Sequence, residues 1–364
     1  TETDGEGRFS FPAVIGMRSR LSVTAKGFAP FERDLKNDGV RDFTIVLRPA
    51  AVGAEVTVSI TRTETRLSET PASVVVLSRE QLDASASQSI DDSLRQIAGF
   101  SLFRRSSSKT TNPTAQGANL RGVSGSGASR ASVLFDGLSL NDAFGGWTYW
   151  SRVPLIAVEQ AEVLRGGASS LYGSGGLSGA VNLTPVKTPS GESRLSFRTS
   201  AGYQNTYDGS FYAGLSRSKW SFDLAAETFQ TGGYIPIAEN ERGIADTRAN
   251  SRHNNGIFSV ERRFGKDGNA PPATAGGTDS RLGGRVFVRG NVFDERRNNG
   301  TGLTYNKTYF RQGTGGVDIV QEDLGEVRLR VFVESQVYDQ SFSAVSTDRN
   351  SETLSRLQRV PSQA

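Results

Sequence analysis

Few residues in this chain are of the types that carry out covalent or metal chemistry. The 364 residues contain no cysteine and a single histidine, His253. Without cysteine there is no thiol nucleophile, disulfide scaffold or cysteine-based zinc or iron–sulfur site. One histidine cannot form a multi-histidine metal centre. The composition therefore predicts no metal, no cofactor and no enzyme activity.

Two glycine-rich segments have the composition of phosphate-binding loops but not their spacing. They span residues 121–127 (RGVSGSG) and 165–179 (RGGASSLYGSGGLSG). Neither contains the G-x-x-x-x-G-K-[ST] pattern, and Gly173, Gly175 and Gly179 miss the dinucleotide-binding spacing by one residue. We interpret these glycines as tight turns and close backbone approaches, where only glycine fits without a steric penalty.

Two pairs of carboxylates are candidates for acid–base groups. Asp91 and Asp92 fall at the start of a predicted helix, where acidic side chains interact favourably with the helix dipole. Glu159 and Glu162 fit one face of a helix, and Arg165 follows Glu162 at the spacing of a helical ion pair. Both pairs are interpreted as structural electrostatics, and neither indicates catalysis.

Residues 143–150 (AFGGWTYW) concentrate four aromatic side chains around two glycines. The glycines predict a loop, and aromatic rings on a loop can form a stacking surface for a ligand. The alternative is that two of the rings fill a small core. Trp147 and Tyr149, and with less weight Trp150, are the candidates for ligand contact.

The elements that position these residues fall into four regions. Residues 1–50 read as short strands, and residues 51–70 as a polar linker with one alternating segment, Glu55–Ile60. Residues 71–187 read as a mixed α+β domain, with a capping box at Ser78 and Gln81 and a helix over 90–98 that Gly99 ends. Charges of both signs are interspersed at a net +4, so no nucleic-acid partner is predicted.

Residues 188–364 alternate apolar and polar side chains over unusually long runs. One apolar and one ionisable face on strands of this length is typical of a transmembrane β-barrel, whereas a soluble β-sandwich with one wet face is the alternative. Long polar connections are predicted at 231–252 and 295–306. The lipid-facing candidates are Phe222, Leu224, Val286, Val288, Val327, Leu329 and Val331. The seven predicted strands are 193–203, 208–217, 220–230, 253–264, 282–294, 308–321 and 326–342.

Four ordered segments of the middle region resemble the plug domain of TonB-dependent outer-membrane receptors. They are SVVVLSREQL (73–82), SIDDSLRQIAGF (89–100), NLRGVSGSGASRASVLFDGLSLND (119–142) and VEQAEVLRGGASSLYGSGGLSGAVNL (158–183). Residues 1–50 resemble part of a carboxypeptidase regulatory-like β-sandwich, which many of these receptors carry before the plug. The implied fold is mainly β: a partial sandwich, an α+β plug and an incomplete antiparallel barrel.

The resemblance also implies site residues and partners. Glu55, Val56, Thr57, Val58 and Ser59 lie where the family places its TonB box, the strand that pairs with TonB. Arg121 and Arg165 match the arginines of the family that contact acidic barrel residues. With Glu159 and Glu162, these arginines are the expected plug–barrel contacts. Arg104 and Arg105, on a plug loop, join Trp147, Tyr149 and Trp150 as the expected ligand-binding residues.

The implied function is energised uptake of a scarce solute, such as a siderophore–iron complex, cobalamin or an oligosaccharide. The implied location is the outer membrane of a Gram-negative bacterium, in contact with its lipid, with the plug and N-terminal domain on the periplasmic side. Seven strands are too few to enclose a plug, so we expect both ends of the chain to be cut. Two other hypotheses are a passive barrel or adhesin without energy coupling, and a soluble carbohydrate-binding β protein.

Overall fold

The chain divides into two units, Thr1–Thr57 and Val58–Ala364. The computed structural model describes residues 3, 8–9, 18–23, 31–36, 44–46, 57–58, 60, 65–67, 70, 72–104, 106–123, 127–265, 283–321 and 325–364. In the first unit, β1 (Arg18–Val23) and β2 (Phe31–Lys36) form an antiparallel hairpin. The likeness of residues 1–50 to a carboxypeptidase regulatory-like domain stays a prediction. Two short strands follow, β3 (Thr57–Val58) and β4 (Thr65–Arg66).

Residues 72–187, which we call the small domain, are built on a five-stranded sheet in the order β5-β10-β11-β8-β9. The β11–β8 pair is parallel and the other pairs are antiparallel. The run ASVLF forms a fully buried strand, because its mostly apolar side chains are removed from water on both faces of the sheet. The five strands of this sheet are β5 (Val74–Leu77), β8 (Ala131–Phe135), β9 (Leu138–Ser139), β10 (Val158–Arg165) and β11 (Gly179–Pro185). Two further strands, β6 (Phe100–Leu102) and β7 (Ala118–Leu120), form a separate antiparallel pair.

The small domain's helices are short. Helix α1 (Arg79–Ala84) begins with the predicted capping box: Ser78 Oγ accepts from the Gln81 amide, and Gln81 Oε1 accepts from the Ser78 amide at 2.9 Å. Helix α2 (Ile90–Leu94) ends earlier than predicted, and Ser89 Oγ donates to Asp92 instead of accepting from the backbone. Helix α3 spans Ser169–Tyr172, and no described helix is long and apolar enough to cross a membrane. Single 3-10 turns lie at Pro113–Ala115, Trp150–Arg152, Leu155–Ala157, Ser174–Gly176 and Glu239–Glu241.

The described part of residues 188–364, which we call the wall, forms one antiparallel sheet of eight strands in chain order. The expected count of seven is wrong: the segment ETLSRLQRVPSQ, too polar to be recognised, pairs with the preceding strand. The predicted long connection at 295–306 is also wrong, because this polar stretch continues the hairpin to a tight turn at 302–303. The strands are β12 (Ser193–Gly202), β13 (Thr206–Arg217), β14 (Trp220–Tyr234), β15 (Ala249–Phe264), β16 (Gly283–Thr301), β17 (Thr304–Gln321), β18 (Gly325–Val345) and β19 (Glu352–Gln363).

Successive side chains of the wall point to opposite faces. In β15 the inward side chains of Ser251, His253 and Asn255 are buried, whereas outward Arg252 and Phe258 are exposed. The predicted lipid-facing residues are all outward and exposed, from 44% for Leu224 and Val286 to 63% for Val331. Exposed apolar area of this extent is unstable in water and suits a lipid environment.

The small domain packs on the inward face of the wall. Ile156 and Ala157 pack against Tyr212 of β13 and Ala225 of β14, and Trp147 contacts Tyr338 of β18. We call the wall end that carries residues 203–205, 235–248, 302–303 and 346–351 the loop end, and the opposite one the turn end. At the loop end, Arg349 Nε donates to Asp246 Oδ2 at 2.8 Å and ties two connections together.

Gly179 tests the interpretation of the glycine clusters as close approaches. Its φ is +147°, and an added Cβ would lie well inside van der Waals contact distance of the Leu164 carbonyl oxygen. We expect Gly179→Ala to destabilise the small domain by about 1–3 kcal/mol, measured as a lower unfolding midpoint in detergent. Gly167→Ala in the same cluster, with nothing within 4 Å of the added atom, is the matched control. Equal midpoints for the two variants would contradict this interpretation.

Candidate functional site: the contact between small domain and wall

The small-domain loop around Lys109 meets the wall close to the loop end. The Lys109 ammonium pairs with Asp208 of β13 and lies 4.4 Å from the centre of the Phe229 ring. Ser251 of β15 donates a hydrogen bond to the Lys109 carbonyl. Lys109 is 4% exposed, so its charge is neutralised at the contact and not by solvent.

A second contact of this loop uses a wall arginine that binds backbone. Arg297 donates to the carbonyls of Thr111 at 2.9 Å and Ser108 at 2.8 Å. Two further hydrogen bonds of 2.6 and 2.7 Å to Glu295 hold the guanidinium in place. Because carbonyl oxygens are present whatever the side chains, this contact fixes the loop's position without needing a particular loop sequence.

The aromatic segment 143–150 is mostly a loop, as the sequence predicts, and three of its four aromatic side chains are buried while Phe144 is exposed. Trp147, Tyr149 and Trp150 are 5%, 2% and 1% exposed. The ring centre of Trp147 lies 5.4 Å from that of Tyr338, and that of Tyr149 lies 6.2 Å from that of Phe293. The inward aromatics of the wall cover Trp147 and Tyr149. Ligand contact by these three side chains stays a prediction. In this structure Trp147 and Tyr149 pack against the wall, whereas Trp150 lies in the core of the small domain, edge-on to Phe100.

Arg152 extends this aromatic contact. Its guanidinium carbon lies 3.4 Å from the centre of the Phe310 ring, and the residue is 2% exposed. Burial lowers the pKa of Arg152 to about 10 because few polar groups replace the lost water. Its backbone carbonyl accepts from Asn291 at 3.3 Å, so both backbone and side chain of Arg152 contact the wall.

Arg104, predicted to bind ligand, is engaged inside the small domain. Its guanidinium pairs with Asp91, and with Asp92 at 2.8 Å, and its side chain is 3% exposed. Burial raises the pKa of Asp91, while the charge of Arg104 acts in the opposite direction. The acidic pair therefore anchors the loop that leads to Lys109. Arg105 lies outside the described residues, and ligand binding by both arginines stays a prediction.

Toward the turn end, Asp136 is a largely buried small-domain carboxylate that pairs with the wall. Its Oδ2 accepts from Arg289 of β16 at 2.7 Å, with side-chain exposures of 18% and 9%. Burial alone would raise the pKa of Asp136, but the positive charge of Arg289 outweighs it and holds that pKa well below its usual range.

The residues expected to join plug and barrel divide between two roles. Glu159 lies 3.8 Å from Arg194 of β12, at an exposed edge of the contact. Arg165 donates to Ser73 Oγ and stays within the small domain. Arg121 lies over Gly166, and Glu162 accepts from Gln160 at 2.7 Å. The helical pairing of Glu162 with Arg165 is wrong, because residues 158–165 form a strand, on which positions i and i+3 face opposite sides.

The linker before the small domain is anchored at Ile60. Ile60 is fully buried among Leu164, Ala168 and Ala180, and Tyr172 Oη donates to its carbonyl at 2.6 Å. Of the predicted TonB box, Thr57 and Val58 form β3, while Glu55, Val56 and Ser59 lie outside the described residues. Leu164 and Ala180 belong to β10 and β11, so the anchor sits on two adjacent strands of the small-domain sheet.

Sequence reasoning missed the wall contacts of Lys109, Asp136 and Arg297. Lys109 lies in a polar run, SSSKTTN, and Arg297 in a run interpreted as a loop. Only the Asp136-Gly137 turn carried a local signal, and a turn signal does not predict a charged partner 153 positions away. Each of these contacts requires a particular small-domain loop to lie beside a particular wall strand. Which residues then meet depends on the pairing register of the whole sheet.

Comparison with known proteins agrees with this arrangement of a small domain inside a wall of long strands. Residues 66–180 match the family model described as TonB-dependent Receptor Plug Domain. The vitamin B12 transporter BtuB of Photobacterium profundum is 26% identical over 196 residues, which cover 52% of this chain and 31% of that protein.

Two solved structures share the fold. The siderophore receptor PirA of Acinetobacter baumannii has a TM-score of 0.56 at 19% identity, covering 79% of this chain and 43% of PirA. The ferric-catecholate import receptor Fiu of E. coli K12 has a TM-score of 0.53 at 12% identity, covering 82% of this chain and 44% of Fiu. The chain thus spans less than half the length of each of these proteins.

Fold and contact define a small α+β domain packed on the inward face of an incomplete antiparallel β-barrel. Residues 66–180 match the plug domain of the TonB-dependent receptors, and eight described strands form a sheet like part of the barrel in those receptors. The expected mainly β fold with an α+β plug and an incomplete barrel is thereby confirmed, while the partial sandwich stays a prediction. The family is one of transport receptors and not of enzymes.

The Asp136–Arg289 pair predicts a pH-dependent contribution to stability. Asp136→Asn should lower the stability by about 1.5–3 kcal/mol near neutral pH, the range for hydrogen bonds to charged groups. Because the pKa of Asp136 is lower in the folded state, this contribution is complete above the unfolded pKa of about 3.9. It is lost as the pH falls through the folded value. We therefore expect the gap in unfolding midpoint between wild type and variant to narrow below about pH 4.

The matched control is Asp83→Asn. Asp83 pairs across the same contact with Arg198 at 2.7 Å, but the side chains are 44% and 35% exposed. An exposed pair contributes about 0–1 kcal/mol, so this variant should stay close to wild type at every pH. A gap for Asp136→Asn that does not change with pH would show that its carboxylate does not stabilise the contact.

Ile60→Ala should release the linker from the plug. Truncating a fully buried isoleucine costs about 2–5 kcal/mol, so amide exchange over residues 57–67 should rise at least about tenfold. Hydrogen–deuterium exchange with mass spectrometry measures this directly. Ile244→Ala, at a position that is 84% exposed, is the control and should change nothing there. Unaltered exchange in the Ile60 variant would show that the linker is held elsewhere.

Proposed function

We propose that this receptor takes up a scarce solute across the outer membrane of a Gram-negative bacterium, using energy supplied through TonB. The plug gates the barrel, and the segment Glu55–Ser59 is the TonB box. The plug and the N-terminal region face the periplasm, and outer-membrane lipid surrounds the wall. The observation that carries this proposal is the anchor at Ile60, which connects the proposed TonB box directly to the plug.

The plug–wall contacts explain why uptake needs an energy source. At the loop end the plug is held by the buried ammonium of Lys109, by backbone carbonyls bonded to Arg297 and by the aromatic rings of Trp147 and Tyr149. A solute cannot pass while these contacts persist. Removing one partner of a buried charged contact is costly, so thermal motion opens such a gate rarely.

The anchor gives a path for a mechanical pull. A strand of TonB would add to residues 55–59 through backbone hydrogen bonds, which require no particular side chains. Tension on that segment reaches Ile60 and then Leu164 and Ala180 on the strands β10 and β11. The force therefore acts first on β10 and β11. These strands belong to the same sheet as β8, and Asp136 directly follows β8.

The class of ligand is proposed from the relatives and from the predicted residues. One relative is named for vitamin B12 and two structural neighbours for siderophores or ferric catecholates. Arg104 and Arg105 suit an anionic ligand, whereas Trp147, Tyr149 and Trp150 suit an oligosaccharide or a planar group. Since the described members of this set are buried, we propose that they meet the ligand only when the plug moves.

The ligand is tested by direct binding to the detergent-solubilised protein. The probes are vitamin B12, a ferric catecholate siderophore and a maltooligosaccharide, each titrated by calorimetry. Saturable binding of one probe supports uptake of that class. Binding of none, together with attachment of cells to a surface that depends on the protein, would favour an adhesin.

Energy coupling is tested with proline in the TonB box. Consecutive N–H groups of a strand point to opposite sides, so either Thr57→Pro or Val58→Pro removes one that pairs with TonB. That variant should lose most energised uptake and keep ligand binding at the cell surface. The controls Thr57→Ala and Val58→Ala retain their N–H groups and should transport normally. Uptake that survives in both proline variants would identify a passive barrel.

A further inference from the structure

Three basic side chains stand side by side on the outward face of the wall. Arg252 of β15 lies opposite Arg296 of β16, and Arg296 lies opposite Lys307 of β17. Side chains directly opposite on antiparallel strands have Cβ atoms about 4.5–5.5 Å apart, and like charges in such pairs repel. No described ion pair engages any of these three residues. A cross-strand row of cations is destabilising unless an anion lies on it.

The row lines a groove of about 530 Å³ at the loop end of the wall. The groove's outward residues are Gln230, Asn250, Arg252, Arg296, Asn298, Tyr305 and Lys307. None of its lining residues is acidic. The groove is therefore basic, with amide groups beside the charges to bind hydroxyl or further phosphate oxygens.

Two irregularities in the strands border the groove. The pairing register shifts between Thr231 and Tyr234 on β14, and between Asn298 and Thr301 on β16. Such bulges bend a strand out of the regular pleat and are frequent at binding sites. Within the groove, Arg296 donates to Tyr309 Oη at 3.4 Å, and Lys307 Nζ lies 5.6 Å from the Tyr305 ring centre.

The nearest outward acids are engaged elsewhere. Asp294 accepts from Arg311 at 2.9 Å, and Asp339, opposite Lys307, lies 3.7 Å from Arg359. Each acid thus has an arginine partner outside the groove, and neither acid pairs with Arg252 or Arg296. Asp339 offsets part of the Lys307 charge across the strands, whereas Arg252 and Arg296 face each other with no acid directly opposite either of them.

The groove begins where the apolar outward face ends. Along β16 the outward side chains from the turn end are Val286, Val288, Gly290 and Val292, followed by Asp294 and Arg296. Along β14 the outward run from Trp220 to Leu224 is likewise apolar, and Gln230 follows farther on. The cations thus occupy the level at which lipid chains give way to headgroups.

We propose that this groove binds the phosphate groups of a phosphorylated lipid headgroup in the leaflet at the loop end. Arginine pairs with phosphate through two parallel hydrogen bonds, and lysine adds a point charge. The amides would bind the hydroxyls of a sugar-based headgroup, and the acyl chains would lie on the adjoining apolar face. The site rests on the proposed membrane location and is independent of ligand uptake.

The test is native mass spectrometry of the full chain released from detergent, with lipid A as the probe. Its dephosphorylated form, phosphatidylcholine and inorganic phosphate are the comparison probes. The groove variant is R252Q/R296Q/K307Q. The matched control is R217Q/K219Q/R262Q, which removes two arginines and one lysine at the turn end of the wall.

We expect lipid A to bind wild type and the control alike, and the groove variant at least about tenfold more weakly. The charge-preserving variant R252K/R296K should retain phosphate-dependent binding. In the absence of lipid, the unfolding midpoint of the groove variant should be at least as high as that of wild type, because the three cations no longer repel one another. This separates lost binding from lost folding.

Three results would overturn the proposal. They are equal binding of lipid A by the groove variant, equal binding of dephosphorylated lipid by wild type, and displacement of lipid A by inorganic phosphate at equimolar concentration. The last would assign the groove to a soluble anion. A protein that binds no detergent would refute the membrane location and hence also the proposed function. Detergent binding without phosphate-dependent lipid binding would refute this inference alone.

Discussion

A β-strand places successive side chains on opposite faces, and this alternation sets the requirements for the whole receptor. An apolar outward face forces ionisable and amide side chains inward, where they need water or protein partners. The plug supplies many of those partners: carbonyls for Arg297, a carboxylate for Arg289 and a ring partner for Tyr338. Wall and plug are therefore each incomplete alone, and the polarity of one explains the contacts of the other.

The plug itself is stabilised differently from its contact with the wall. Its core consists of apolar side chains such as Leu82, Val133 and Leu183, all fully buried. The contact with the wall combines hydrogen bonds and ion pairs with one aromatic cluster and one smaller apolar cluster around Ile156 and Ala157. Water can replace hydrogen bonds but not apolar packing, so the plug can exchange wall contacts for hydration more readily than it can lose its own core.

Much of the fold was predictable because it rests on local patterns. The capping box at Ser78, the buried strand Ala131–Phe135 and the alternation in β14, β16 and β18 follow from residue type and period. The strand Glu352–Gln363 was missed because its outward and inward residues are both largely polar, with Pro361 near its end. This segment forms a strand because it pairs with the edge of β18. That cause lies in the neighbouring strand and produces no pattern in the segment's own sequence.

The candidate site was less predictable, since its residues are brought together by register. Trp147 and Tyr149 were singled out as candidates for ligand contact, but a sequence does not reveal whether an aromatic loop faces solvent or an opposing ring. The choice depended on Phe293, Phe310 and Tyr338, which lie on three strands far along the chain. Arg104 is likewise engaged by an acidic pair that the sequence explained as helix electrostatics alone.

The length of the central wall strands has a consequence for how a solute would approach. Strand β18 has 21 residues. At about 3.3 Å per residue and a tilt of roughly 40°, a strand of this length rises about 50 Å, whereas the apolar band of an outer-membrane barrel is only about 25 Å tall. Roughly half of such a strand therefore projects beyond the hydrocarbon. The projecting strand ends would enclose a space above the plug. A molecule that enters this space would collide with the plug several times before it returns to bulk solution.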